Sequence, residues 1–171
     1  PYWLDVLENG RASLFEDFFD IDWHPATSKA AFLQENRILL PILGDLYGNV
    51  LTNREIVLRF DENGFFARYY DHRLPLAPKT YLLILNRGRE ELLNAIAEAD
   101  NKSAFELAMR LLEELPDRNL EEKEHKVQRQ HEVERIKSIL WRLYLAEPDY
   151  KRNLDDLLWA LGGDRQDSRS F

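Results

Sequence analysis

The chain has no cysteine. Thiol catalysis, thiolate zinc sites and disulfides are therefore excluded, and a reducing, cytoplasmic setting is expected. No apolar run approaches the roughly 20 residues that a membrane span needs, and no signal peptide is visible. A basic excess is missing too. The net charge is -8, which argues against nucleic acid and anionic membrane as partners. Seven glycines are scattered, mostly at turns, so the sequence holds no phosphate-cradling loop and no Gly-x-Ser-x-Gly elbow. His131-Glu132-Val133-Glu134-Arg135 opens like a zinc-peptidase signature, but Arg135 stands where the second histidine is required. His125 and His131 are six apart and fall on different helix faces. No metal site and no cofactor is expected.

What remains is ample for a fold. The 171 residues are about one domain, 44% hydrophobic and 12% aromatic. A chain of this size buries roughly 70% of its unfolded surface without disulfide or metal. The organising stretch is Phe18-Phe19-Asp20-Ile21-Asp22-Trp23-His24-Pro25, in which apolar and acidic residues alternate. Alternation puts the aromatics on one face of a half-buried strand or ordered loop and the carboxylates on the other. Before it, Glu8-Asn9-Gly10 reads as a turn and Ala12 to Phe18 as a short helix. After it, Ala26 to Asn36 reads as loop or one helical turn, and Ile38 to Gly44 as a buried strand or extended piece. Tyr47 to Thr52 is a short helix.

Ile56 to Phe60 and Phe65 to Tyr70 form a hairpin around Asp61-Glu62-Asn63-Gly64, and Asp71 to Leu76 leaves the sheet. From Pro78 onward the chain is helical. Helices are expected over Pro78 to Leu85, Glu90 to Ala99, a segment capped by Ser103 with Glu106 and closed by Pro116, Leu120 to Ala146, and a last one capped by Asn153. The first half of the long helix, Glu121 to Arg135, reads as a solvated face, with Glu122 and Lys126 paired at i,i+4. The fold class is thus α+β, mostly α: a small hairpin-and-loop part over residues 1–78, then a helical bundle over 79–171.

Asp20 and Asp22 are two carboxylates at a spacing that glycoside chemistry can use, though nothing isolates one of them to raise its pKa. Trp3, Trp23, Tyr47, Phe66, Tyr69 and Tyr70 crowd the first half, as rings do in sugar-stacking clefts and equally in cores.

Taken together, several segments resemble the maltooligosyltrehalose synthases of the alpha-amylase family of glycoside hydrolases. They are Pro1-Tyr2-Trp3-Leu4-Asp5-Val6-Leu7-Glu8-Asn9-Gly10, Phe18-Phe19-Asp20-Ile21-Asp22-Trp23, Leu39-Leu40-Pro41-Ile42-Leu43-Gly44, Tyr47-Gly48 and Tyr69-Tyr70-Asp71-His72-Arg73-Leu74-Pro75-Leu76. They follow in the family's order, and the terminal Ser170-Phe171 is also similar. The match is dense over 1–78 and loose over the helices. It departs at Arg11, where proline is common in the family, and at Leu14-Phe15-Glu16.

The resemblance implies a parent with a (β/α)₈ barrel. Such an enzyme converts the reducing-end α-1,4 bond of a maltooligosaccharide into an α,α-1,1 trehalose bond by intramolecular transglucosylation, in service of trehalose biosynthesis. It also implies that this stretch is an internal insertion between a strand ending in Asn-His and the strand bearing the nucleophile. The catalytic carboxylates then lie outside it, and the barrel of the same polypeptide is its partner. Asp20, Asp22, Trp23, Tyr69, Asp71, His72 and Arg73 are the expected cleft-facing, substrate-binding residues. The alternative is a non-catalytic alpha-glucan-binding or protein-interaction domain.

Overall fold

The computed structural model describes residues 2–23, 38 and 40–162. The expected loop or turn over Ala26 to Asn36 and the polar run from Gly163 onward lie outside them. The chain opens with helix α1, Tyr2–Asn9, where a turn was predicted over Glu8-Asn9-Gly10. Val6 is its fully buried residue, and Gly10 ends it in the left-handed region at φ +57°. The predicted helix from Ala12 to Phe18 is instead two single 3₁₀ turns, Gly10–Ala12 and Glu16–Phe18. Such turns satisfy local backbone groups where the apolar residues do not repeat at helical spacing. Phe19, Ile21 and Trp23 are half-buried while Asp20 and Asp22 are exposed, so the alternation is realised as exposure. The segment is irregular and joins no sheet among the described residues.

Helix α2, Tyr47–Thr52, ends in Asn53, Arg54 and Glu55. The amide of Arg54 donates to Leu51 O (2.9 Å) and that of Glu55 to Val50 O (3.0 Å). Arg54 adopts φ +56°, the left-handed position that closes a helix in this pattern. Strands β1, Ile56–Asp61, and β2, Gly64–Tyr69, form the predicted hairpin, with Ile56 opposite Tyr69. Gly64 (φ +99°) is required here, since a Cβ would come within 2.2 Å of the Tyr81 hydroxyl. His72–Pro75 does not leave the sheet: it is β3, antiparallel to β2, with Tyr69 opposite His72. The sheet order is β1-β2-β3. Pro75 is accommodated because it closes an edge strand.

The rest is helical as expected, but the helix expected over Glu90 to Ala99 stops at Asn94 and Ala99 opens the next one. Helix α3 is Pro78–Arg87, with Pro78 in its first turn and Gly88 at its end. Helices α4, Arg89–Asn94, α5, Ala99–Glu114, α6, Lys123–Ala146, and α7, Pro148–Leu161, follow. Their apolar stripes converge with Phe60 and Phe65 of the sheet on one core that includes Tyr81, Leu85, Phe105, Leu112, Ile136, Leu140 and Leu154.

Two predicted caps are not caps. Ser103 lies inside α5, where its hydroxyl donates to Ala99 O (3.1 Å), and Asn153 lies inside α7. Helix α5 is capped from a distance instead. The Glu147 carboxylate accepts from the Ala97 amide (3.0 Å), the Glu98 amide (3.3 Å) and Asn101 Nδ2 (2.7 Å). A carboxylate at a helix N-terminus satisfies orphan donors and meets the positive end of the helix dipole. The expected Glu122–Lys126 pair is also absent: Glu122 lies 3.3 Å from His125 Nδ1, and Lys126 turns to Glu16.

Candidate functional site

The charged half of α6 is where the N-terminal segment is seated. Lys126 Nζ donates to Glu16 Oε1 at 2.6 Å. Arg129 donates to Asn9 Oδ1 (2.7 Å) and to Pro116 O (3.1 Å). Lys137 donates to Glu8 Oε2 (2.9 Å) and to Glu134 Oε1 (3.2 Å), and the Tyr81 hydroxyl donates to Glu8 Oε1 (3.1 Å). Lys126, Arg129 and Lys137 are all buried, as are Glu8 and Asn9. Sequence reading missed this cluster because lysine, arginine and glutamate are ordinarily solvated. Lys126, Arg129 and Lys137 also reach Glu16, Asn9 and Glu8 across more than a hundred residues of chain. The available signal was the heptad-like placement of Lys126, Arg129, Val133 and Lys137 on one helix face.

Burial lowers the Lys137 ammonium pKa, but Glu8 and Glu134 outweigh it, so the group stays charged with a pKa above its ordinary value. Burial raises the Glu8 carboxyl above its ordinary range, against the pull of Lys137. Both values are raised, which keeps Lys137 charged but disfavours the charge on Glu8, because Lys137 faces two carboxylates, whereas Glu8 faces one ammonium and, in addition, Asp5. Glu8 is buried and both of its oxygens are engaged by protein groups, so it serves as a structural anchor in this arrangement.

Pockets lie beside α1. One, of about 340 Å³, is lined by Leu4, Asp5, Glu8, Arg73, Glu134 and Lys137 among others. The second, of about 290 Å³, includes Val6, Leu7, Trp23, Leu40, Pro75 and Arg118. The first offers charged hydrogen-bonding groups. The second offers an indole and aliphatic walls. Pro75 belongs to both.

The predicted site residues are thus divided. Trp23 lines the apolar pocket and Arg73 the charged one. Arg73 makes a two-pronged pair with Asp61 (the second prong is 2.9 Å), and its guanidinium lies 4.0 Å from the Phe66 ring centroid. Burial raises the Asp61 pKa, but its bonds from Arg73 and the Asn63 amide prevail and hold it below the ordinary carboxylate value. Tyr69 is buried, and its hydroxyl accepts from the Gly44 amide at 2.9 Å. Asp20, Asp22, Asp71 and His72 are exposed. None of the described pockets gathers all seven. Among the described residues there is no group of three or more potential metal ligands, and no helix is long and apolar enough to cross a membrane.

No family profile matches the chain, and no solved structure does either. A stretch of 77 residues, 45% of the chain, is 40% identical to proteins described as "Putative maltooligosyl trehalose synthase" in two strains of Mycobacterium tuberculosis. The aligned stretch spans 8% of the length of these relatives. Over that stretch the chain is similar to a small part of the proteins so described.

Proposed function

We propose that this chain is part of a maltooligosyltrehalose synthase and forms a wall of its substrate cleft. The similarity over 77 residues to proteins of that name carries the reading. The ordered motifs from Tyr2 to Gly10, Phe18 to Trp23 and Tyr69 to Leu76 support it. In this reading the parent turns the reducing-end α-1,4 bond of a maltooligosaccharide into an α,α-1,1 bond. The barrel of the same polypeptide supplies the nucleophile and acid/base. Asp20, Asp22, Asp71 and His72 bond sugar hydroxyls, and Trp23 stacks on a pyranose face. Tyr69 and Arg73 hold that wall from behind. The helical part, 79–162, is its rigid support. A wall of this kind also excludes water, which would otherwise divert the transferred glucosyl group to hydrolysis.

The test is incubation of the full polypeptide carrying this segment with maltopentaose. Reducing ends should disappear without equivalent release of glucose. Their persistence overturns the reading. Trp23→Ala should raise KM about tenfold, the loss of one stacking contact.

A further inference from the structure

Tyr70 is the first residue of the two-residue loop between β2 and β3, since Tyr69 pairs with His72. It adopts φ +48°. Primed hairpin turns place glycine, asparagine or aspartate there, because a larger side chain is strained in the left-handed region. Core packing does not compensate for this strain, as the Tyr70 residue is 65% exposed. Strained positions cluster at functional sites, which directs attention to this exposed side chain.

The surroundings hold the ring in place. The Tyr69 ring meets it edge to face at 4.8 Å. The Tyr70 hydroxyl donates to Glu55 Oε2 at 3.3 Å, and Asn53 Nδ2 donates to Glu55 Oε1 at 3.2 Å. Arg68 Nε donates to the Tyr70 carbonyl at 3.2 Å. Glu55 is delivered by the closing turn of α2, so two chain reversals meet at this carboxylate. The result is an exposed aromatic ring bonded to a carboxylate that an amide also engages, followed in the chain by the exposed Asp71 and His72.

We propose that Tyr70, Glu55 and Asn53 form a binding subsite for a neutral pyranose, one glucosyl unit of an alpha-glucan. The apolar face of the sugar stacks on the ring, and its hydroxyls bond the carboxylate and amide. A cationic ligand is disfavoured because Arg68 already places a guanidinium against this loop, at the Tyr70 carbonyl. The choice of an alpha-glucan rests on the proposed function, whereas the subsite itself rests on Tyr70.

The experiment is a titration of the 171-residue chain with maltopentaose, followed by backbone-amide NMR, on wild type, Tyr70→Asn and Tyr70→Phe. Wild type should show shifts centred on Glu55, Tyr70 and Asp71. Tyr70→Asn should unfold at the same or higher denaturant concentration, because asparagine tolerates this conformation, yet bind at least about tenfold more weakly. Tyr70→Phe should bind within about threefold of wild type, since stacking survives. Three results overturn the subsite: absence of shifts at Tyr70, unchanged binding in Tyr70→Asn, or shifts at Tyr70 with tetramethylammonium in place of sugar. If the full polypeptide converts maltopentaose with an unchanged KM in Tyr70→Asn, the subsite fails and the proposed function stands. If wild type binds maltopentaose at Tyr70 but reducing ends persist in the full polypeptide, the subsite stands and the proposed function fails.

Discussion

The two halves of α6 hold different parts of the molecule by different means. From Ile136 onward the helix presents Ile136, Ile139, Leu140 and Leu143 to the shared apolar core. Before that it presents Lys126 and Arg129 to the N-terminal segment, and Lys137 adds a third cation at the junction. Apolar packing is non-directional and tolerates small shifts, whereas a buried charge requires its partner at hydrogen-bond distance. The first mode gives the helical part its cohesion. The second fixes where α1 and the turns after it sit.

The largest expected effect comes from breaking the polar mode alone. Lys137→Ala leaves Glu8 buried without its ammonium and should lower stability by about 3–5 kcal/mol in denaturant unfolding. Hydrogen exchange should quicken most over residues 4–12. If it quickens equally in α5, the two modes are not separable. Leu140→Ala attacks the apolar mode, with an expected loss of about 2–5 kcal/mol and no preferential release of α1. Arg129→Ala removes charge-assisted bonds to Asn9 and Pro116 and should cost about 1.5–3 kcal/mol, again read as faster exchange near Asn9.

Smaller effects sharpen the contrast. Tyr150 is fully buried, and its hydroxyl has no partner among the described residues. Tyr150→Phe should therefore gain about 1 kcal/mol, measured as a higher midpoint of unfolding. Glu147 is held below its ordinary value of 4.5 by its bond from Asn101 and those from the Ala97 and Glu98 amides. A depressed folded pKa contributes stability above the ordinary value and loses it as pH falls through the folded one. Thermal midpoints measured across pH 4.5 and below should drop more steeply in wild type than in Glu147→Gln.

Legibility in the sequence followed the same division. The β1–β2 hairpin was readable from alternation around a turn, and α3 from Pro78 and Gly88, because these signals are local. Strand β3 was not, since Arg73-Leu74-Pro75 lacks alternation and its place depends on the neighbouring β2. The cap at Ser103 was misread because a competing partner, Glu147, lies 46 residues beyond Asn101 in the chain, and that at Asn153 because α7 already begins at Pro148. Among the site residues, exposure of Asp20 and Asp22 followed the alternation. The burial of Tyr69 did not show, because a tyrosine serves a core and a surface equally well. The buried cations of α6 were hidden by their residue types.

Helices α6 and α7 are separated by Glu147 alone, whose carboxylate holds the Ala97 and Glu98 amides that lead into α5 and Asn101 in its first turn. Mechanically this is a bracket: three rods share one bolt. The corner cannot swing open without uncapping α5, so bending there and fraying there are a single event.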